Sequence, residues 1–401
     1  MSQSPPLTVL CITSYEKGQD FMRECKRQGS TVLLLTVEKL RHANWPFEAL
    51  DETYHIPSEM PLKDVIHAVS YLARTQKLDR IVSLDEFDME TAAALREHLR
   101  VPGMGLTTLR YFRDKLAMRA QAQEQGILVP PFVPIIHYDD IRNYMRDVAP
   151  PWVLKPRSEA SAIGIKKIHA EGELWPILDA LGDKQSFYLL EQFIPGEVFH
   201  VDGIVSERKA VFATVSKYGK PPMKVAHEGG IFTTHTLPRT SHDFKALQKM
   251  NADLMKALGM VRGVTHSEFI KADKDHKFYF LESAARVGGA YITQLVEAST
   301  GVNLWVEWAK IELAGGKQPY KPPKAKNLNS GVILCLAKQE HPDTSGYKDP
   351  EVHSRLSKHH HAGLLLLSHK AERVAHLLDA YSGRFAHDFM AVQPLPEKPT
   401  S

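Results

Sequence analysis

The chain has 401 residues, of which 43% are hydrophobic and 24% charged. It is long enough for two or three globular domains with buried cores. Fifty basic residues against 47 acidic ones leave a net charge of +3, mixed along the sequence, so nothing electrostatic points to nucleic acid or an anionic membrane as a partner. Cys11, Cys25 and Cys335 form no CxxC pair, which argues for three reduced thiols rather than a disulfide framework or a zinc knuckle. Residues 1–6 lack the basic and apolar regions of a signal peptide and no apolar run approaches a membrane span, so a cytoplasmic location is expected.

The first hundred residues alternate strand-like and helix-like patterns. Strands are predicted over 7–13, 31–36 and 80–84, a short extended piece at 54–56, and helices over 19–28, 61–76 and 88–99. Such alternation implies a parallel sheet with crossover helices. The first strand runs into Ser14-Tyr15-Glu16-Lys17-Gly18 rather than GxGxxG, and GxxxxGK[ST] does not occur. The unit is Rossmann-like in pattern without either phosphate loop.

Val101-Pro102-Gly103 marks a break, followed by a predicted helix over 108–125 that Gly126 stops. Lys115 would lie on the flank of its apolar stripe Leu109, Phe112, Leu116 and Ala120, within reach of a cleft. Pro130, Pro131 and Pro134 make an extended linker, and 152–193 reads as strand, loop, strand, helix, strand. A hairpin over 198–205 and 210–216 turns at Glu207-Arg208, and a helix follows over 244–258. Two acid-bearing strands come next, then a helix over 290–314 and a polar linker at 321–326. The last unit has strands at 332–337 and 363–367, a helix over 370–381, and a disordered tail at 394–401. The expected domains are 1–108, 109–320 with a small lid at about 150–193, and 321–401, an α/β chain with α+β lobes.

The chemistry concentrates in four places. Lys155 ends a strand and precedes a loop of small and polar residues, 157–164, that could fold over phosphates; the same pattern suits a solvated strand-end lysine. Glu191-Gln192-Phe193-Ile194-Pro195-Gly196-Glu197 is a strand running into a Pro-Gly turn between two acids, which suits either a nucleobase edge and ribose or an ordinary turn. Glu268 and Glu282 lie on successive strands, where unpaired carboxylates repel and a divalent cation would remove the conflict; a one-residue slip of register would separate them. Arg286 follows Glu282 and precedes Gly288-Gly289, so a cation stands beside the acids.

In this order the pieces resemble the ATP-grasp superfamily of carboxylate–amine ligases and biotin-carboxylase-like enzymes, over roughly residues 7–315. The segment Phe112-Arg113-Asp114-Lys115-Leu116-Ala117-Met118-Arg119, then Gly126-Ile127-Leu128-Val129-Pro130, is similar to that family's entry helix. The resemblance implies an ATP-grasp fold with an N-terminal Rossmann-like domain, a lid and a small C-terminal α+β domain. It implies that Lys115 and Lys155 contact ATP phosphates under a loop containing Ser161 and Gly164. Glu191 with the backbone of Phe193 and Ile194 would bind adenine, and Glu197 the ribose. Glu268 and Glu282 would hold Mg²⁺, with Mn²⁺ as an alternative, and Lys155 and Arg286 would stabilise the transferring phosphoryl group.

The implied activity is amide formation from a small carboxylate and an amine through an acyl phosphate, releasing ADP and phosphate. Bicarbonate activation, as in biotin carboxylases, and a weakly catalytic ATP-binding regulator are the alternatives. Enzymes of this kind often form homodimers. Asp85, Glu86, His266, Gly288 and Gly289 are the substrate-side candidates. The family often has Glu-x-Asn-x-Arg where this chain has Glu282-Ser283-Ala284-Ala285-Arg286, so water or Ser283 would replace the missing amide, or a second Mg²⁺ would bind more weakly. His266 falls on the same strand face as Glu268, where it could orient substrate, act as a base or simply pack. His227-Glu228-Gly229-Gly230 could border the substrate, and His359-His360-His361 reads as a solvated loop because no acid or cysteine accompanies it at ligand spacing.

Overall fold

The computed structural model describes residues 6–159, 163–222, 225 and 230–391. The N-terminal lobe is built as its alternating pattern predicts, from β1 (Thr8–Thr13), α1 (Gln19–Arg27), β2 (Thr31–Val37), β3 (Glu52–Ile56), α2 (Leu62–Leu72), β4 (Arg80–Ser83) and α3 (Met89–Leu99). Its parallel sheet has the order β3-β2-β1-β4. Strands β1 and β4 are buried throughout, as expected for strands covered on both faces. Strand order reverses beside β1, so a crevice opens at the carboxyl ends of β1 and β4, where Ser14, Asp85 and Glu86 follow.

The helix predicted over 108–125 is broken. A single turn at Leu106–Leu109 and a 3₁₀ turn at Arg110–Phe112 precede α4 (Lys115–Glu124). The Asp114 carboxylate accepts from the N–H groups of Leu116 and Ala117 and starts α4 there, so Lys115 is its first residue rather than a mid-helix flank position.

A second sheet follows, from β5 (Phe132–Pro134), α5 (Tyr138–Asp147), β6 (Trp152–Pro156), β7 (Lys166–Ile168), α6 (Glu171–Leu181) and β8 (Tyr188–Gln192). Its antiparallel order is β5-β8-β6-β7. The proline linker thus supplies an edge strand, where missing N–H groups are tolerated, and α5 was not predicted from the sequence. Both pack with β6 and β8 around Ile135, Ile141, Leu154 and Leu190.

The third sheet has eight strands. They come from β9 (Gly196–Ser206), β10 (Lys209–Tyr218), β11 (Phe232–Thr236), α7 (His242–Ala257), β12 (Gly263–Ala272), β13 (Phe278–Ala284), α8 (Ile292–Thr300), α9 (Leu304–Ala314), β14 (Asn329–Leu336), β15 (Val352–Arg355), β16 (His361–Ser368) and α10 (Ala371–Asp388). The order is β13-β12-β9-β10-β11-β14-β16-β15. Glu207 (φ 48°) and Arg208 (φ 65°) make the tight turn between β9 and β10 without glycine, both in the left-handed region that a two-residue hairpin of this hand requires.

The single helix predicted over 290–314 is two helices, because Gly301 (φ 73°) stops α8 and the Asn303 side chain caps α9. The C-terminal strands continue the same sheet, while their far face builds a separate core around Tyr347, Leu366, Leu377, Tyr381 and Phe385. Phe385 extends the apolar stripe of α10 by one turn, so this helix runs past the predicted end at 381.

Cys11, Cys25 and Cys335 are buried and free, and burial raises all three thiols, that of Cys335 to about 11. Among the described residues no helix is long and apolar enough to cross a membrane. The tail at 394–401, Ser161 and residues 227–229 lie outside the described residues.

Candidate active site

The register of β12 on β13 sets Glu268 directly opposite Glu282, and His266 opposite Ala284. On the other side of β12, β9 sets His200 opposite Glu268 and Asp202 opposite His266. Strand alternation therefore lines one sheet face with two carboxylates and a buried polar cluster. The Lys115 ammonium comes within 3.2 Å of the Glu282 carboxylate and also donates to the Glu159 carbonyl. Burial would raise Glu282, but the charges of Lys115 and Lys155 outweigh it and hold the carboxyl at about 2. Glu282 is thus ionised throughout the physiological range. Glu268 accepts a hydrogen bond of 2.7 Å from the Tyr218 hydroxyl. Two opposed carboxylates on one face are an oxygen donor set that suits a divalent cation.

Lys155 is buried and paired with Glu191, which the Arg119 guanidinium also contacts at 3.0 Å. Burial lowers Lys155 to about 8, with Glu191 opposing the shift. In Glu191 burial is outweighed by Arg119 and Lys155, so its carboxyl lies below the usual range. Its oxygens are engaged by these two cations, which leaves the main chain to meet a nucleobase. There the N–H of Gln192 donates to Pro131 and that of Phe193 to Pro151 at 3.0 Å, whereas the N–H of Ile194 has no partner among the described residues. The Lys167 ammonium stands 3.9 Å from the centre of the Phe193 ring, and Glu197 is half exposed and paired with Lys217.

Arg286 reaches across to the N-terminal lobe, where its guanidinium donates to Glu86 at 2.5 and 3.1 Å; Arg113 contacts the other oxygen of Glu86 at 3.3 Å. Glu86 thus supports Arg286 at the cleft mouth and has no free oxygen for a substrate ammonium. Asp85 is paired with Lys17. The neighbouring Asp88 accepts from the N–H and hydroxyl of Ser14 at 2.7 and 2.6 Å, and its burial raises it to about 6. Ser283 faces away from Glu282, buried, with its hydroxyl 2.9 Å from that of Ser267. The expectation that Ser283 could replace a missing amide is therefore corrected: strand alternation points it to the opposite side of the sheet.

The loop after Lys155 is rooted by Arg157, which pairs with Asp114, the cap of α4. One carboxylate thus ties the loop to the helix that carries Lys115. Gly164 ends the loop at φ 71° with Pro156 only 2.9 Å from where a Cβ would stand. Gly288 packs still more closely: a Cβ there would come within 2.6 Å of the Ile292 side chain and 3.0 Å of the Asp202 carboxylate, whereas Gly289 is open. Gly288→Ala is expected to cost about 1–3 kcal/mol, read as a lower thermal midpoint, while Gly289→Ala should meet no such clash.

Asp114, Arg119, Arg157, His200, Asp202 and Tyr218 escaped the sequence reading. The first had a usable signal as a capping residue before a helix, and His200-x-Asp202 had the two-residue period of a strand face. At the far end of the sheet, Glu340 and His341 come to His359, all exposed, with His359 3.6 Å from Glu340. The expectation of no accompanying acid is thereby corrected, since these residues meet only through folding. A cavity of about 630 Å³ lined by Ile135, Tyr138 and Gln185 lies on the second sheet's flank and includes none of the cleft residues.

Opposed acids on one sheet face, with Lys155 arriving from the small second sheet and Lys115 from the start of α4, form a charge arrangement suited to a phosphate and a cation. The ATP-grasp domain family matches residues 148–294, the stretch that carries Lys155, Glu191, Glu268, Glu282 and Arg286. The L-arginine-specific L-amino acid ligase of Bacillus subtilis is 23% identical over 307 residues, 75% of this chain and 73% of that protein. Alanine–anticapsin ligase of Bacillus subtilis is 25% identical over 287 residues, 64% of this chain but only 59% of that longer protein. The crystal structure of an L-amino acid ligase from Bacillus licheniformis superposes with a TM-score of 0.73 over 97% of this chain and 99% of that one, at 19% identity, which is a likeness of fold.

Proposed function

We propose that this protein is an ATP-dependent ligase that joins the carboxylate of one amino acid to the amine of another, through an acyl phosphate, with release of ADP and phosphate. The observation that carries the reading is the direct opposition of Glu268 and Glu282 beside Lys115. A divalent cation held by these two acids would screen the phosphate charge as the γ-phosphoryl group moves.

The chain's own groups do the rest. The free N–H of Ile194 reads the adenine edge and Glu197 the ribose, while Glu191 holds Lys155 in place. Lys115 and Lys155 bind phosphate oxygens, and the 157–164 loop, with Ser161 and Gly164, covers them and keeps water from the acyl phosphate. Arg286, oriented by Glu86, binds the acyl phosphate. The substrates occupy the crevice between Asp85, His266 and the Gly288-Gly289 turn. On this reading 1–108 is the substrate-side domain, 109–320 the ATP-grasp domain and 321–401 the C-terminal extension of its sheet, in a cytoplasmic, homodimeric enzyme.

Mixing the protein with Mg·ATP and a panel of amino acids, alone and in pairs, is expected to release ADP and phosphate only when a carboxylate and an amine donor are both present. AMP and pyrophosphate as products would refute the acyl-phosphate route. Bicarbonate-dependent ADP release would favour the carboxylase reading, with which the ligase relatives agree less well. Tight ATP binding with no dependent release would favour a regulator.

A further inference from the structure

His266 does more than pack. Its Nδ1 is held by Asp202 at 2.9 Å, and Asp202 in turn is held by His200 at 2.6 Å, with the far nitrogen of His200 2.7 Å from the Thr234 hydroxyl. This chain of contacts, buried throughout, locks the ring and aims Nε2 toward the Glu268 carboxylate. Among the described residues Nε2 makes only two long contacts. The Tyr218 hydroxyl stands at 3.5 Å and the Glu268 carboxylate at 3.6 Å, both beyond normal hydrogen-bond length.

The second of these separations has another meaning. Two donors held by one ion at about 2.1 Å each lie about 3.0 to 4.2 Å apart as the angle between them opens from a right angle to a straight line. The gap between His266 and Glu268 falls inside that range. A carboxylate behind an imidazole is also the usual way of orienting a metal-binding histidine. On one side of His266 stands Ala284, which offers no donor, and on the other Asp202, whose oxygens are taken up by His266 and His200.

We propose that His266, through Nε2, is a direct ligand of a divalent cation shared with Glu268, and that this imidazole makes the site prefer a first-row transition-metal ion such as Mn²⁺ over Mg²⁺. Mg²⁺ favours an all-oxygen shell, whereas imidazole nitrogen suits the transition metals. The inference rests on the nucleotide–metal reading of the cleft given above. Asp202 acts as the positioning residue behind His266.

The test uses the full-length protein with a non-hydrolysable ATP analogue and Mn²⁺ as the probe, in unlabelled and ¹⁵N-histidine-labelled forms. Pulsed electron paramagnetic resonance is expected to show a nitrogen coupling on the bound Mn²⁺ that changes with the histidine label and is lost in His266→Gln. Mn²⁺ affinity of the analogue complex should fall about tenfold or more in that variant, with Mg²⁺ affinity changing far less. Should His266→Gln fail to fold, Ala284→Asn is the second variant; it adds an oxygen donor opposite His266 and is expected to narrow the Mn²⁺ preference. Analogue-dependent Mn²⁺ binding without a label-sensitive coupling would overturn the histidine ligand and leave the ligase reading standing. No analogue-dependent Mn²⁺ binding at all would overturn both.

Discussion

Glu282→Gln is expected to lower the substrate-dependent release of ADP by about a thousandfold or more, while the folded state survives. Glu282 stands opposite Glu268, and its carboxyl is held at about 2 by Lys115 and Lys155 acting against burial. Replacing it with the neutral amide removes the charge that a cation would bind and leaves Lys115 without its 3.2 Å partner. The Glu282 side chain is 39% exposed, and the buried Lys115 ammonium keeps the Glu159 carbonyl as an acceptor, so the fold should survive the change. Steady-state kinetics with a circular-dichroism spectrum of the variant separates the two effects. Wild-type turnover in Glu282→Gln would show that the metal lies elsewhere.

Glu191→Gln is expected to be the most damaging of the cleft substitutions to stability, by about 3–5 kcal/mol, read as a lower denaturant midpoint. Glu191 is buried between Lys155 and Arg119, and removing its charge leaves two cations facing each other out of water. Lys155→Met should cost less stability, because Arg119 still balances Glu191, yet it should abolish phosphoryl transfer. Sign and pH window follow from the depressed carboxyl. Its stabilisation is complete above the ordinary value near 4.5 and is lost as pH falls through the lower folded value, so Glu191→Gln should also flatten the acid limb of the stability profile. Equal midpoints for Glu191→Gln and wild type would mean that the three charges are not coupled.

The elements legible in the sequence were those with strong period or chemistry. The N-terminal parallel sheet showed in runs such as 31–36 and 80–84, which fold as β2 and β4, and the acid strands showed in the spacing of Glu268 and Glu282. Long helices were harder. A continuous 3.6-residue pattern crosses both Asp114 and Gly301, and only the caps formed there divide the helices. β5 was hidden among prolines, and β15 is short, with three of its four residues exposed. The C-terminal strands looked like a unit of their own because sequence proximity carries no information about which sheet edge they join.

By itself, the sequence determined the chemical inventory: the lysines, the glutamates, Arg286 and the alanine at 284, together with the strands that bear them. That follows because strand periodicity and side-chain charge are local properties. Only the tertiary structure decided which groups meet. Register set Glu268 against Glu282 and His266 against Ala284, and a shift of one residue would have sent each to the other face. Long-range packing brought Glu86 to Arg286, 200 residues away, and Glu191 between Lys155 and Arg119. These partnerships are non-local pairings of charge, and they turn the inventory into a site.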